Sequence, residues 1–244
     1  MIQLRFIGTG DALGSGGRLQ TCFVLDTPDG TLLIDCGASS LIGLKREQVN
    51  PSDVDLVLLT HLHGDHFGGL PFLILDGQFS RRTRPLVVAG PPGLQPRIEA
   101  AMEAFFPLST KVQREFSVSF VELQDRAPLP LGFVTATAFA VRHASGAPSF
   151  ALRIEHGDKT VAYSGDTEWT ESLLEVARGA DLFICEAYFF EKRVKYHLDY
   201  GTLHRHMPNL GCRRIILTHM SEDMLRHADD VTVECASDGQ AIAL

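Results

Sequence analysis

The segment Leu59-Thr60-His61-Leu62-His63-Gly64-Asp65-His66-Phe67-Gly68-Gly69 sets three histidines and an aspartate within six positions, directly after an apolar run. In extended backbone His61 and His63 point to the same side, because side chains alternate with period two. A helix that begins near Asp65 turns that residue and His66 toward an adjacent position. Imidazole nitrogen and carboxylate oxygen are the ligands that Zn²⁺ and similar divalent ions accept. Gly64, Gly68 and Gly69 allow the backbone to bend closely around such a site.

One loop cannot fill a metal's coordination sphere, and further candidates lie at the ends of other apolar runs. Strands are expected over Gln3–Gly8, Thr21–Asp26, Thr31–Asp35, Val57–Thr60 and Leu86–Ala89 in the first half. The second half adds Thr135–Val141, Ser149–Glu155, Thr160–Ser164, Leu182–Glu186, Arg214–Thr218 and Gln240–Leu244. His143, Asp166 and His219 each follow one of these runs, as Asp35 and Glu186 close theirs. Strands that deliver acids and histidines at their C-terminal ends imply a common rim, the usual place for a site in layered α/β folds. Amphipathic helices are expected over Gln95–Phe106, Thr170–Arg178 and Gly201–Leu210. No linker-like or low-complexity segment interrupts the order, so 1–244 is expected to form one domain.

Composition narrows the function classes. The chain has 244 residues, 45% of them hydrophobic, with 22 Lys+Arg against 30 Asp+Glu. That excludes a disordered or collagen-like chain. Its apolar runs are strand-sized, far below the ~20 residues of a membrane helix, so no membrane association is expected. The formal charge of −8 argues against indiscriminate nucleic-acid coating. Five scattered cysteines without a CxxC pair, and no basic-then-apolar leader, lead us to expect reduced thiols and a cytoplasmic location.

The ordered set HxHxDH, distal His, Gly-Asp-Thr and final Thr-His resembles the metallo-β-lactamase superfamily, and it spans Asp35 to His219. The resemblance implies an α/β fold, a four-layer αβ/βα sandwich with two sheets inside and helices outside. It implies two divalent metal ions: one on His61, His63 and His143, the other on Asp65, His66 and His219, with Asp166 bridging. Zn²⁺ is the first expectation, while Mn²⁺ and Fe²⁺ suit the same ligands. Asp35 matches the supporting aspartate that orients ligands without touching metal.

Within the superfamily, Ser164-Gly165-Asp166-Thr167, Ile184-Cys185-Glu186-Ala187 and the later His197 resemble the ribonuclease Z-like branch. Tyr188 departs from the Thr often found there. The opening Gly8–Arg18 loop is similar to that branch as well, and its glycine spacing is not that of a dinucleotide fingerprint. Only 23 positions separate His143 from Asp166, filled by a hairpin around His156-Gly157-Asp158, too few for the long arm with which many relatives grip tRNA. Pre-tRNA is therefore a doubtful substrate, and the short form resembles small phosphodiesterases, including those acting on cyclic phosphates.

The resemblance thus implies a dinuclear-metal phosphodiesterase acting on a small, cyclic or nucleotide phosphodiester through a hydroxide bridging the two ions. Asp65 would position or deprotonate the attacking water. His197 would act as general acid or bind the phosphate, oriented by Glu186. Lys192, Arg193 and Lys195 lie close in sequence and could hold a phosphate. The alternatives are a hydrolase of a lactone, thioester or β-lactam, since the same ligand set serves a carbonyl, and a non-hydrolytic metal-binding accessory protein. Specificity is expected in loops at Leu70–Arg84 and Asp125–Leu131, and exposed aromatics near Phe67 and Phe72 could line a pocket or a homodimer face.

Overall fold

The structure, a computed structural model, describes residues 2–244. The first half contributes β1 (Gln3–Gly8), β2 (Cys22–Thr27), β3 (Gly30–Ile34), α1 (Ser40–Arg46), β4 (Val54–Leu58), α2 (Gly64–Phe67), α3 (Leu70–Phe79), β5 (Leu86–Gly90), α4 (Leu94–Phe105) and β6 (Val118–Glu122). The second contributes β7 (Leu129–Leu131), β8 (Val134–Val141), β9 (Ser149–His156), β10 (Lys159–Tyr163), α5 (Ser172–Ala177), β11 (Leu182–Glu186), α6 (Tyr200–Leu210), β12 (Ile215–Thr218), α7 (Glu222–Arg226), β13 (Glu234–Cys235) and β14 (Ala241–Ala243).

These strands form two seven-stranded sheets, ordered β14-β1-β2-β3-β4-β5-β6 and β13-β12-β11-β10-β9-β8-β7. Each sheet begins as an antiparallel meander and continues in parallel strands. Parallel neighbours need a crossover, which places helices on the outer face. Alternation along each strand then sorts its side chains between layers. Leu32, Ile34, Leu56 and Leu58 meet Leu152, Tyr163 and Ile184 between the sheets. Leu33 and Val57 face outward under α1, α3 and α4. Phe183 and Leu217 face outward under α5, α6 and α7. Four layers, helix–sheet–sheet–helix, result as expected. Parallel strands buried on both faces read as unbroken apolar runs, which is why they were legible.

Two expectations need correction. Leu70–Arg84 is not a loop: most of it is α3, whose Leu70, Leu73 and Ile74 are core. Phe67 is not exposed, because it is buried in that same outer core. Phe72 is half-buried and packs on Phe105 and Phe106 of the α4 end. The hairpin at His156-Gly157-Asp158 joins β9 to β10 as expected. All five cysteines are free thiols, and among the described residues no helix is long and apolar enough to cross a membrane.

Candidate metal centre

Parallel register brings the ends of β3, β4, β10, β11 and β12 to one rim, with Ile34 beside Leu58, Tyr163 beside Ile184 and Glu186 beside Thr218. Chain that leaves these ends carries the polar residues. Thr60 lies past β4 because its amide bonds a side chain, the Asp35 carboxylate at 2.8 Å, in place of a neighbouring strand. From there His61 to His63 are extended, and α2 opens at Gly64 with Asp65 and His66 in its single turn. Two close approaches hold this loop. A Cβ on Gly69 would stand 2.3 Å from the Gly37 carbonyl, and one on Gly165, at φ +57, would stand 2.6 Å from the Phe150 carbonyl.

The seven histidines and aspartates converge in two groups. His61, His63 and His143 form one, and Asp65, His66, Asp166 and His219 the other, with the ligand atoms of each group within 4.8 Å of one another. Asp166 stands between them: its Oδ2 lies 3.2 Å from His219 Nε2, 3.9 Å from His61 Nε2 and 4.0 Å from His143 Nε2, while Oδ1 lies 3.4 Å from His66 Nε2. His63 Nδ1 and His143 Nε2 face each other at 3.0 Å. His61 Nε2, His66 Nε2 and Asp166 Oδ1 are buried without a hydrogen-bond partner. Leaving such atoms unpaired costs ~1–3 kcal/mol each, more when charged, and a divalent cation satisfies all of them together. The donor set of imidazoles and carboxylates fits such an ion, and this centre binds divalent metal.

Outer hydrogen bonds aim the rings. Asp35, fully buried and at φ +57, takes the Thr60 hydroxyl on Oδ2 at 2.8 Å and the His66 Nδ1 proton on the same oxygen at 2.7 Å. The Thr60 hydroxyl donates to Asp35, so its oxygen receives Nδ1–H of His61 at 3.0 Å. His143 Nδ1 donates to the Tyr196 carbonyl at 2.8 Å. Each bond spends Nδ1 and turns the Nε2 lone pair inward. Thr21 Oγ1 stands 3.4 Å from Nδ1 of His219, which sits at φ +57.

For His61 and His143 the electrostatics agree with a neutral ring and a free Nε2 lone pair. Burial, then repulsion from His66, holds His61 well below the usual imidazole range, and burial lowers His143 and His219 too. Burial would also lower His66, yet the Asp166, Asp65 and Asp35 carboxylates outweigh it and raise it. Burial opposes ionisation of Asp65 and Asp166, but the surrounding histidines hold both below the usual carboxylate range.

Beside this cluster stands a second pair. Glu186 is fully buried, accepts from the Thr167 amide through Oε1, and lies 3.1 Å from His197 Nδ1 through Oε2. Burial pushes Glu186 upward; it would also depress His197, but the Glu186 charge wins and lifts that imidazole to about 9. The His197 ring is stacked on Tyr188 at 4.6 Å and parallel to His219 at 5.7 Å. Tyr200 stacks on Phe190. Of the basic trio, Arg193 lines a cavity beside His197, while Lys192 lies over the Phe189 ring. Sequence reasoning missed Thr21, Thr60 and the Tyr196 carbonyl. Thr60 precedes His61 directly, but nothing in its identity says that its hydroxyl bridges Asp35 and His61.

A family model described as "Anti-Pycsar protein Apyc1" matches residues 2–240. Ribonuclease Z of Agathobacter rectalis is 26% identical over 94% of this chain and 91% of its own length. Among solved structures, the metallo-β-lactamase fold protein YhfI from Bacillus subtilis superposes with a TM-score of 0.79 at 21% identity, covering 100% of both chains. The short form of human tRNase Z superposes at 0.81 with 23% identity, covering 99% of this chain and 98% of that one. The chain belongs to the family described as anti-Pycsar protein Apyc1, within the ribonuclease Z-like branch of the metallo-β-lactamase superfamily.

Proposed function

We propose that this protein is a dinuclear-metal phosphodiesterase acting on a small phosphodiester, cyclic or nucleotide in kind. At the coarser level the chain is a metal-dependent hydrolase of the phosphodiesterase type. The observation that carries the finer reading is the Glu186–His197 pair, held beside the histidine–aspartate cluster with His197 Nδ1 4.0 Å from Asp166 Oδ2. Expulsion of an alkoxide from phosphorus gains from a proton donor at that position, and a carboxylate-oriented imidazolium supplies one.

In this proposal His61, His63 and His143 hold one ion, Asp65, His66 and His219 hold the other, and Asp166 reaches both; Zn²⁺ is the expected metal. A divalent ion bound here supplies Lewis acidity toward a phosphoryl oxygen and makes a nucleophile of water at neutral pH. The chain's own residues supply the rest. Asp65 stays ionised, so its carboxylate accepts a hydrogen bond from water and orients it for in-line attack. His197, charged through neutral pH, donates its proton to the leaving oxygen and takes one back from solvent water, while Glu186 keeps the imidazole facing the site and favours its charged form. Asp35 and Thr60 keep His66 and His61 from rotating. The substrate class, a small diester, is supported by the short interval of 22 residues between His143 and Asp166, which the β9–β10 hairpin fills without a protruding arm. No membrane or macromolecular partner is invoked, and pre-tRNA stays outside the proposal.

The test is hydrolysis of a chromogenic phosphodiester by metal-loaded protein, repeated after chelation and metal return. Turnover that disappears with chelator and returns with Zn²⁺ or Mn²⁺ is expected. Silence with both ions bound would overturn the proposal in favour of lactones or thioesters.

A further inference from the structure

What fixes His143 is a piece of main chain. It lies in the connection 142–148 between β8 and β9, and its Nδ1 bonds the Tyr196 carbonyl at 2.8 Å, where His66 has a carboxylate. The ring is therefore only as steady as the turn that offers that carbonyl. Tyr196 sits at φ +71, in the left-handed region that a residue with a Cβ adopts at a cost. Burial does little to hold it there: Tyr196 is 41% exposed, and its ring meets His143 edge-on with centroids 6.3 Å apart. The amide side of the turn is held by Glu168, whose Oε1 accepts the Tyr196 N–H at 3.0 Å. Arg142 faces the other oxygen at 3.8 Å but is largely exposed, so that ion pair contributes little.

Glu168 is itself anchored. Its amide donates to the Arg142 carbonyl at 3.1 Å, and the Arg142 amide donates to the Thr167 hydroxyl at 3.1 Å. These bonds close a circuit. Arg142 precedes His143, Thr167 follows Asp166, and the Thr167 amide donates to Glu186, the partner of His197, which in turn follows Tyr196. Two proposed ligands and the imidazole beside them are thus tied into one ring of hydrogen bonds, and Glu168 is the side chain that reaches the Tyr196 turn. We propose that Glu168 is a positioning residue of this centre. By holding the Tyr196 amide it keeps the turn left-handed, aims the Tyr196 carbonyl at His143, and so directs Nε2 of that ring toward the cluster. The same turn sets His197 against Glu186. The part that concerns His197 rests on the phosphodiesterase reading, whereas the part that concerns His143 needs only metal binding. What Glu168 contributes is an acceptor oxygen, because the group it serves is a neutral amide. What Tyr196 contributes is its backbone.

The experiment compares two pairs of variants. Glu168→Ala removes the acceptor, whereas Glu168→Gln keeps an oxygen that accepts from an amide. Tyr196→Val burdens the left-handed turn with a β-branched side chain, whereas Tyr196→Gly adopts it freely. Zn²⁺ affinity, measured by competition with a chromophoric chelator, is expected to fall about tenfold in Glu168→Ala and Tyr196→Val and to stay within about twofold of the parent in Glu168→Gln and Tyr196→Gly. The visible bands of Co²⁺-loaded protein, which report coordination geometry, are expected to shift in the first two and to be kept in the other two. Neither residue belongs to the core, so the thermal midpoint of the metal-free protein is expected to stay in place in all four. Parent-like affinity and bands in Glu168→Ala would overturn the inference. An equal loss in Glu168→Gln would do so too, since charge would then be the cause, as would an equal loss in Tyr196→Gly, which would assign the effect to the ring. For His197, Glu168→Ala is expected to slow a diester with a poor leaving group more than one that releases nitrophenolate; equal slowing would remove His197 from the circuit. Chelator competition needs no turnover, so a parent protein that hydrolyses no diester would remove the phosphodiesterase reading and leave the His143 result to stand or fall by itself.

Discussion

Asp35 touches none of the open space at the rim, yet it receives the Thr60 amide, the Thr60 hydroxyl and the His66 ring on two oxygens. Asp35→Asn keeps the volume but offers an NH₂ where an acceptor is needed, so His66 loses its fixed tautomer. Metal affinity, measured by competition with a chromophoric chelator, is expected to fall about 10–100-fold; unchanged affinity would show that the carboxylate orients nothing. His197 makes a different prediction. Its pKa lies at about 9, above the ordinary value, so the proton is present at neutral pH and is lost as pH rises through about 9. The rate with a poor leaving group should therefore decline over that range. His197→Ala is expected to cost about 10²–10⁴-fold with poor leaving groups, to cost far less with nitrophenolate, and to show no alkaline decline. Full activity on both would remove His197 from the chemistry, and retained metal content separates the effect from damage to the ligand cluster.

At the scale of elements, the site depends on how closely the loop after β4 can approach the loop after β3. Gly69 sits at that contact, and a methyl group there meets the Gly37 carbonyl at 2.3 Å and the Cys36 carbonyl at 2.9 Å. Gly69→Ala must push the two loops apart, at about 1–3 kcal/mol for overpacking, and with them the line from Asp35 to His66. Gly64 belongs to the same glycine-rich segment but opens α2, with nothing within 4 Å of its would-be Cβ. Gly64→Ala is expected to be neutral or slightly stabilising, since alanine favours helix by about 0.5–1 kcal/mol. Denaturation of the two variants side by side checks the contrast; equal midpoints would mean that the loops have slack. Two glycines that look equivalent in the sequence thus differ in duty. α3 was illegible for another reason: Leu70-Pro71-Phe72-Leu73-Ile74-Leu75 is apolar throughout, with no 3.6-residue stripe, because it lies between a sheet and α4.

For the molecule as a whole, the metal centre is a seam. The first half supplies Asp35, His61, His63, Asp65 and His66, and the second supplies His143, Asp166, Glu186, His197 and His219. Few backbone bonds cross at this rim; the Phe150 amide to the Thr60 carbonyl at 3.0 Å and the His219 amide to the Thr9 carbonyl at 3.1 Å are two of them. Divalent metal bound across the seam holds both halves in the folded state and has no counterpart in the unfolded chain. At a free metal concentration 100 times its Kd, stabilisation is about 2.7 kcal/mol, or about 5–10 °C in thermal midpoint for a chain of this size. Calorimetry with and without Zn²⁺ measures it. A midpoint indifferent to metal would mean that the cluster does not bridge the halves.

Strand ends and their cargo were readable in the chain alone. Buried parallel strands are continuous apolar runs, and an acid or histidine at the end of each marks where burial stops, so the ordered set from Asp35 to His219 was visible without coordinates. Local chemistry also disclosed that imidazoles and carboxylates in this pattern hold divalent metal. Convergence was another matter. That Asp166 faces both histidine groups, that Thr60 couples Asp35 to His61, and that Tyr188 lies against His197 depend on sheet order and register. The cavity beside His197 depends on them still more, because Trp169, Arg193 and Arg205 come from separate elements and carry no shared spacing. Periodicity records which way a side chain faces on its own strand; only the packing of one sheet on the other sets which faces meet.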